Sequence, residues 1–367
     1  MKLTYLIILL AFGFLGCQTA VKRPIENKPE FTWGPYRGMS AAPNLKKHDI
    51  YDLTAMNANF IRLAFASEPM MDLQPPYEIN EASWVKLDSI LSWCAEVGIE
   101  VLIDPHRYPG MNFPWTMLDT DPFWKEKHYQ DLLVDFWGKV AEKYGGEKHA
   151  IAGYDLLNEP ALGNILTEDW DINPLYDRLI QAIRRHDTIH PIVIAAPRFK
   201  IKEGNTSESY AKGMRLLKKF DDPLIVYQIH MYSPMDFSHQ DVFGREGGVV
   251  YPGIIEGVSW DKEKLVAAFE PAKRVADSLG VPLLVGEFSV PRWVPSGDQY
   301  LEDIISYCEN EGWSWSYHAY RESHIWDAEM SPTSRGDSLY RYLQTPRLEM
   351  LESYFKRNST PGILSVK

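Results

Sequence analysis

The sequence predicts an α/β fold, a closed (β/α)8 TIM barrel in a single domain. Three observations carry that reading. Short β-rich runs alternate eight times with longer segments of helical periodicity, a pattern that implies parallel strands joined by right-handed crossovers. No Gly-rich nucleotide-binding loop accompanies them, which favours a closed barrel over the alternative, a doubly wound open sheet. Polar residues gather at the carboxyl ends of the strands, where barrels carry their active sites.

The expected strands are Trp33–Met39, Asn59–Ala64, Glu100–Asp104, Ile151–Leu157, Pro191–Ala196, Leu224–His230, Pro282–Glu287 and Trp313–His318. Helical stripes lie between them. Trp84, Leu87, Ile90, Leu91, Cys94 and Val97 recur at i, i+3 and i+4 spacing and stop at Gly98. Leu132, Phe136, Val140 and Tyr144 do the same before Gly145-Gly146, and Leu265, Phe269, Ala272, Val275 and Leu279 before Gly280. No repeat, low-complexity stretch or Pro/Gly-rich linker divides residues 31–357, which read as one domain.

Composition narrows the function. The chain has 367 residues, 45% hydrophobic, 13% aromatic and 24% charged, too apolar and aromatic for a disordered protein. Its formal net charge of −12 with no basic cluster argues against a nucleic acid partner. Twelve Trp and 20 Tyr suit either a heavy core or flat platforms for a sugar ring.

The N-terminus reads as an address. Met1-Lys2 precedes an apolar run from Leu3 to Leu15, shorter than the about 20 residues a spanning helix needs. The ending Phe14-Leu15-Gly16-Cys17 looks like a bacterial lipobox, with Phe14 where Leu is usual. Residues 1–16 are thus expected to be a lipoprotein signal peptide, with Cys17 lipidated and residues 17–30 a polar tether. Residues 358–367 form a short tail. The expected location is the bacterial cell envelope, lipid-anchored, periplasmic or facing outward. Of the other cysteines, Cys94 and Cys308 sit in apolar helical stripes and read as buried free thiols, with a disulfide between them as the alternative.

Several apolar strands finish in ionisable groups. Arg62 lies on the second strand, and Asp104-Pro105-His106 ends the third. Asn158-Glu159-Pro160 ends the fourth, His230 and Tyr232 the sixth, Glu287 the seventh, and His318 the eighth. A carboxylate at the end of an apolar strand is costly unless it has a role or a partner. Two of them, across one barrel mouth, are what glycoside hydrolysis needs: an acid for the leaving oxygen and a carboxylate for the sugar carbon. A metal held by His106, His230 and a Glu is formally open, but no local His-Glu spacing supports it.

This set resembles glycoside hydrolase family 5, the retaining cellulase-like (β/α)8 enzymes. The likeness covers about residues 31–345 and is strongest in Asn158-Glu159-Pro160 paired with Gly286-Glu287-Phe288. The resemblance implies Glu159 as acid/base and Glu287 as nucleophile. It implies a supporting shell of Arg62, His106, Asn158, His230 and Tyr232, and needs no cofactor. The family usually places a Trp under the sugar at the end of strand eight. Alignment with the family's usual pattern puts His318 there, a shifted frame puts Trp315 there, and Trp315 is the expected stacking residue. Loop aromatics Trp115, Trp170, Trp260, Trp293 and Trp326 are expected to line the cleft as a set. The expected function is hydrolysis of a β-linked polysaccharide or oligosaccharide by a monomer. β-1,4-glucan comes first, then β-mannan or mixed-linkage glucan. An inactive carbohydrate-binding lipoprotein is the second reading.

Overall fold

A computed structural model describes residues 31, 33–146, 150–161, 171–198, 209–333 and 343–358. The expected signal and tether, with Cys17, as well as Trp170 and the residues beyond Asn358, lie outside the described residues. The elements run β1 (Arg37–Ala41), α1 (Lys47–Ala55), β2 (Phe60–Ala64), α2 (Glu81–Val97), β3 (Glu100–Asp104), α3 (Pro122–Lys125) and α4 (Lys127–Tyr144). They continue with β4 (Ile151–Asp155), α5 (Asn173–Arg184), β5 (Ile192–Ala195), α6 (Ser209–Gly213), β6 (Ile225–His230), α7 (Met235–Ser238), β7 (Gly253–Ile255) and β8 (Val258–Trp260). The last are α8 (Lys262–Leu279), β9 (Leu283–Glu287), α9 (Gly297–Glu311), β10 (Ser314–His318) and α10 (Pro346–Phe355). The pair β7–β8 is a small antiparallel hairpin.

Eight parallel strands close in the order β1-β10-β9-β6-β5-β4-β3-β2, as the alternation of strand and helix predicts. Local chemistry sets the helix ends. The Asn80 side chain accepts the Ser83 N–H at the start of α2, and Gly98 ends it at φ 76°, a backbone angle that costs a residue without a Cβ little.

The barrel interior is sorted by height. Trp33, Phe60, Leu102, Ala152, Val193, Val226 and Leu284 plug the lower end. Two residues further along their strands stand Arg62, Asp104 and Gln228, all buried. The fourth strand reaches the same layer by a register shift. Val101 pairs with Ile151 and Leu102 with Gly153, so β4 carries one extra residue there. Ala152 and Asp155 can therefore both serve the interior.

Cys94 and Cys308 are buried free thiols, so the disulfide alternative falls away. Trp260, expected among the cleft residues, is 2% exposed and packs in the core beneath the β7–β8 hairpin.

Candidate active site

The site is assembled around Arg62, a residue of β2 with no exposed surface. Its Nε donates to Asp155 Oδ2 (2.8 Å), Nη1 to Glu287 Oε1 (2.5 Å) and Nη2 to Asn158 Oδ1 (2.9 Å). Nη2 also lies 3.0 Å from Asp104 Oδ2. A guanidinium presents five donors in a rigid fork, and here that fork spans β3, β4 and β9. Burial opposes its charge, but Asp104, Asp155 and Glu287 raise its pKa above the usual arginine value.

Glu287 ends β9 with both oxygens committed. Besides Arg62, the Tyr232 hydroxyl donates to Oε2 at 2.9 Å. Burial works against its charge, yet His230, Arg62, His318 and His106 hold the carboxyl well below the ordinary range. A second register shift, between Ile229 and His230, sets His230 directly across from Glu287.

Glu159 faces it from the turn after β4. Its φ is 43°, and that of His106 is 62°, a left-handed conformation that side chains with a Cβ adopt only at a cost. Glu159 Oε1 lies 2.9 Å from His230 Nδ1, and that nitrogen is 3.6 Å from Glu287 Oε2. One oxygen of each carboxylate and a His230 nitrogen all lie within 4.8 Å of one another. That spacing fits the about 5 Å of retaining glycosidases, not the wider gap that admits a water in inverting ones. Burial raises the Glu159 carboxyl, the His230 contact lowers it, the Glu287 charge raises it, and Arg198 lowers it. The lowering contacts win, leaving it at about 2.

His106 is fixed at both nitrogens. Nδ1 meets Asp104 Oδ2 at 2.7 Å and Nε2 the Trp115 carbonyl at 3.2 Å. Burial disfavours the cation, but Asp104 more than offsets it and lifts the pKa to about 9. Asn158 Nδ2 donates to the same Trp115 carbonyl at 2.9 Å.

The structure thus brings together Glu159, Glu287, Arg62, His106, Asn158, His230 and Tyr232. It corrects Trp315. That indole is wholly buried, stacks on Phe355 of α10 (5.6 Å between centroids, 18° between planes) and donates from Nε1 to Glu309. Strand alternation explains this. Ser316 Oγ meets Ser40 Oγ inside the barrel at 3.0 Å, so Trp315 and Tyr317 face the helices while His318 follows Ser316 inward. His318 reaches the mouth 3.6 Å from Glu322, with its ring 5.9 Å from Trp326. Trp326 also lies 5.6 Å from His239, whose ring packs against Tyr232.

Asp155, Gln228, Tyr210 and Arg198 escaped the sequence reading. Asp155 accepts Arg62 and both of its oxygens take Gln228 Nε2 (3.1 and 3.0 Å). Tyr210 has its ring centroid 5.5 Å from that of His230, and the Glu159 charge adds to burial in holding its phenol well above the ordinary pKa. Arg198 pulls on Glu159 electrostatically from the end of the chain segment after β5. Only Asp155 left a signal, a carboxylate inside the apolar run of the fourth strand.

Glu159, His230 and Glu287 could in principle ligate a cation. Both Glu287 oxygens are already engaged, however, and the Arg62 charge 2.5 Å from one of them would oppose a metal ion.

A (β/α)8 barrel with two carboxylates facing each other at its mouth defines a retaining glycoside hydrolase. Residues 25–324 match the family model for cellulase, glycosyl hydrolase family 5, and the chain belongs to that family. It is 25% identical over 321 residues to endoglucanase C of Acetivibrio thermocellus, covering 79% of this chain and 89% of that protein. It is 26% identical to cellodextrinase A of Ruminococcus flavefaciens over 67% of this chain and 69% of the other. The crystal structure of endoglucanase Cel5A from Thermotoga maritima superposes with a TM-score of 0.65 at 21% identity, covering 86% of this chain and 97% of that one. At that identity the likeness is one of fold.

Proposed function

We propose that this hydrolase cleaves β-1,4-glucan chains by double displacement, with Glu287 as nucleophile and Glu159 as acid/base. The observation that carries the assignment is the pair of facing carboxylates, with an oxygen of each within 4.8 Å of the other. Glu287 suits attack because Arg62 and Tyr232 hold it ionised and aimed. Its oxygen bonds to the anomeric carbon as Glu159 gives a proton to the leaving oxygen. Once Glu287 is esterified its charge is gone. The influence that raised Glu159 disappears with it, so Glu159, having given up its proton, stays ionised and free to take one from the attacking water. Water then displaces Glu287 and the sugar leaves with its original configuration.

For the first step Glu159 must carry a proton, against the pull of His230. We take the glycosidic oxygen to weaken that pull by entering between Glu159 and His230. Asn158, one residue away and held by Arg62, is placed to meet a sugar hydroxyl. The named activities of the endoglucanase and cellodextrinase relatives support a β-glucan substrate. A product assay on cellulose derivatives, mannan and mixed-linkage glucan, wild type beside Glu287→Ala, tests the reading. Equal activity in both would sink it.

The enzyme works as a monomer in this reading, which light scattering of the purified protein checks. The N-terminal sequence supports lipid anchoring at Cys17 in the cell envelope. Membrane-fraction recovery of the full chain, lost in Cys17→Ser, tests that part.

A further inference from the structure

Arg198 stands beside Glu159 with its charge unmatched. Its backbone is clamped there. The Arg198 N–H donates to the Pro160 carbonyl at 2.7 Å, and Ala161 and Arg198 form a parallel bridge, so the residue is fixed against the two that follow Glu159. The guanidinium reaches the loop after β3, where Nη2 donates to Thr116 Oγ1 (3.0 Å) and to the Met117 carbonyl (3.4 Å). Both acceptors are neutral. Among the described residues Arg198 forms no ion pair, and the charges of Glu159 and Asp119 act on it from further away.

Arg62, Arg321 and Arg347 show the contrast. Arg62 meets Asp104, Asp155 and Glu287, Arg321 meets Asp49, Asp52 and Glu329, and Arg347 meets Asp298. Each of these buried cations is matched where it sits, because an unmatched charge out of water is costly. Arg198 is only partly buried, and its Nε and Nη1 meet no acceptor among the described residues. The side chain is thus held at one nitrogen and open at the others. A rigid, weakly hydrated fork of donors is fitted to a carboxylate.

Position says which part of a substrate it would meet. In the proposed mechanism Glu287 keeps the glycone and Glu159 serves the leaving oxygen. A cation packed on the residues after Glu159 lies toward the leaving part of the chain. We propose that Arg198 binds a carboxylate on the leaving side of the substrate, so that the enzyme favours β-glycan chains carrying a hexuronate ring there over neutral chains. The inference rests on the hydrolase reading, with Glu159 as acid/base, and deepens it by naming a substituent of the substrate.

The test is kinetics of wild type, Arg198→Gln and Arg198→Lys on cello-oligosaccharides and on the same chains oxidised at C6 to glucuronate. Arg198 also acts on Glu159, so either variant can slow both substrates, and the readout is the ratio between substrates within each protein. The proposal expects wild type to favour the oxidised chains by about tenfold in kcat/KM at low salt, chiefly through KM. That ratio should fall to about one in Arg198→Gln, persist in part in Arg198→Lys and shrink as salt rises. A wild type without the preference, or Arg198→Gln with the wild-type ratio, would overturn the proposal. If wild type turns over neither substrate, the hydrolase reading fails. Calorimetry with the two sets of chains then decides the carboxylate site: tighter binding of the oxidised chains, lost in Arg198→Gln, upholds it, and equal binding of both, or a preference that Arg198→Gln keeps, overturns it.

Discussion

Arg62 Nη1 lies 2.5 Å from Glu287 Oε1, and the guanidinium that makes this contact is wholly buried among three further acceptors on β3 and β4. Glu287, the proposed nucleophile, is therefore positioned by the barrel interior and not by a loop. Removing one partner of a buried ion pair typically costs about 3–5 kcal/mol. Arg62→Lys keeps the charge but cannot reach all four acceptors. Its kcat is expected to fall by about 100-fold or more, with a lowered Tm. Paired kinetics and melting curves check both.

Gly286 tests how far that support extends. A Cβ there would sit 2.1 Å from Gln228 Oε1, and Gln228 is itself tied to Asp155, which holds Arg62. Gly286→Ala is expected to lower kcat about tenfold or more, with KM little changed, because the disturbance reaches Glu287 through Arg62. An unchanged kcat would show that Gln228 swings aside without moving Asp155.

His230 holds the Glu159 carboxyl down, so removing it should let that carboxyl rise. In the proposed mechanism activity needs protonated Glu159 and falls as pH rises through its pKa. In His230→Ala the alkaline limb of kcat/KM is therefore expected at higher pH than in wild type, at reduced activity. A limb that stays put or moves to lower pH would contradict this assignment.

His106 makes stability depend on pH in a defined window. Its folded pKa, about 9, lies above the ordinary histidine value of about 6.5. The stabilisation is thus fully present below pH 6.5 and disappears as pH rises through 9, about 3 kcal/mol as an upper bound. The Tm advantage of wild type over His106→Asn is expected to shrink across that window. A constant difference would rule it out.

Trp315 and His318 separate stability from activity. Trp315→Leu removes an indole buried against Phe355 and should cost about 2–4 kcal/mol, read as a lowered Tm, with kcat largely kept. His318→Ala should do the reverse, lowering kcat/KM with little change in Tm. The opposite pattern would restore Trp315 to the cleft.

Much of this site was legible because strand-end chemistry is local. Glu159, Glu287, Arg62, His106, Asn158, His230 and Tyr232 stand out as polar groups closing apolar runs, and the barrel brings such ends together whatever the loops do. The eighth strand misled. Its two faces are visible in the sequence, but which one turns inward depends on α10, some 30 residues on, whose Phe355 covers Trp315. Asp155 was hidden by the extra residue in β4, which puts it out of phase with a regular alternation. Tyr210 and Arg198 approach Glu159 from the region around β5 and α6, where no spacing in the sequence ties them to it.

The central claim is that Glu287 and Glu159 act in two successive displacements. Proton NMR of the hydrolysate in the first minutes of reaction, before mutarotation, reads this directly. The account expects the β-anomer to form first. First formation of the α-anomer would mean a single displacement by water and would contradict it.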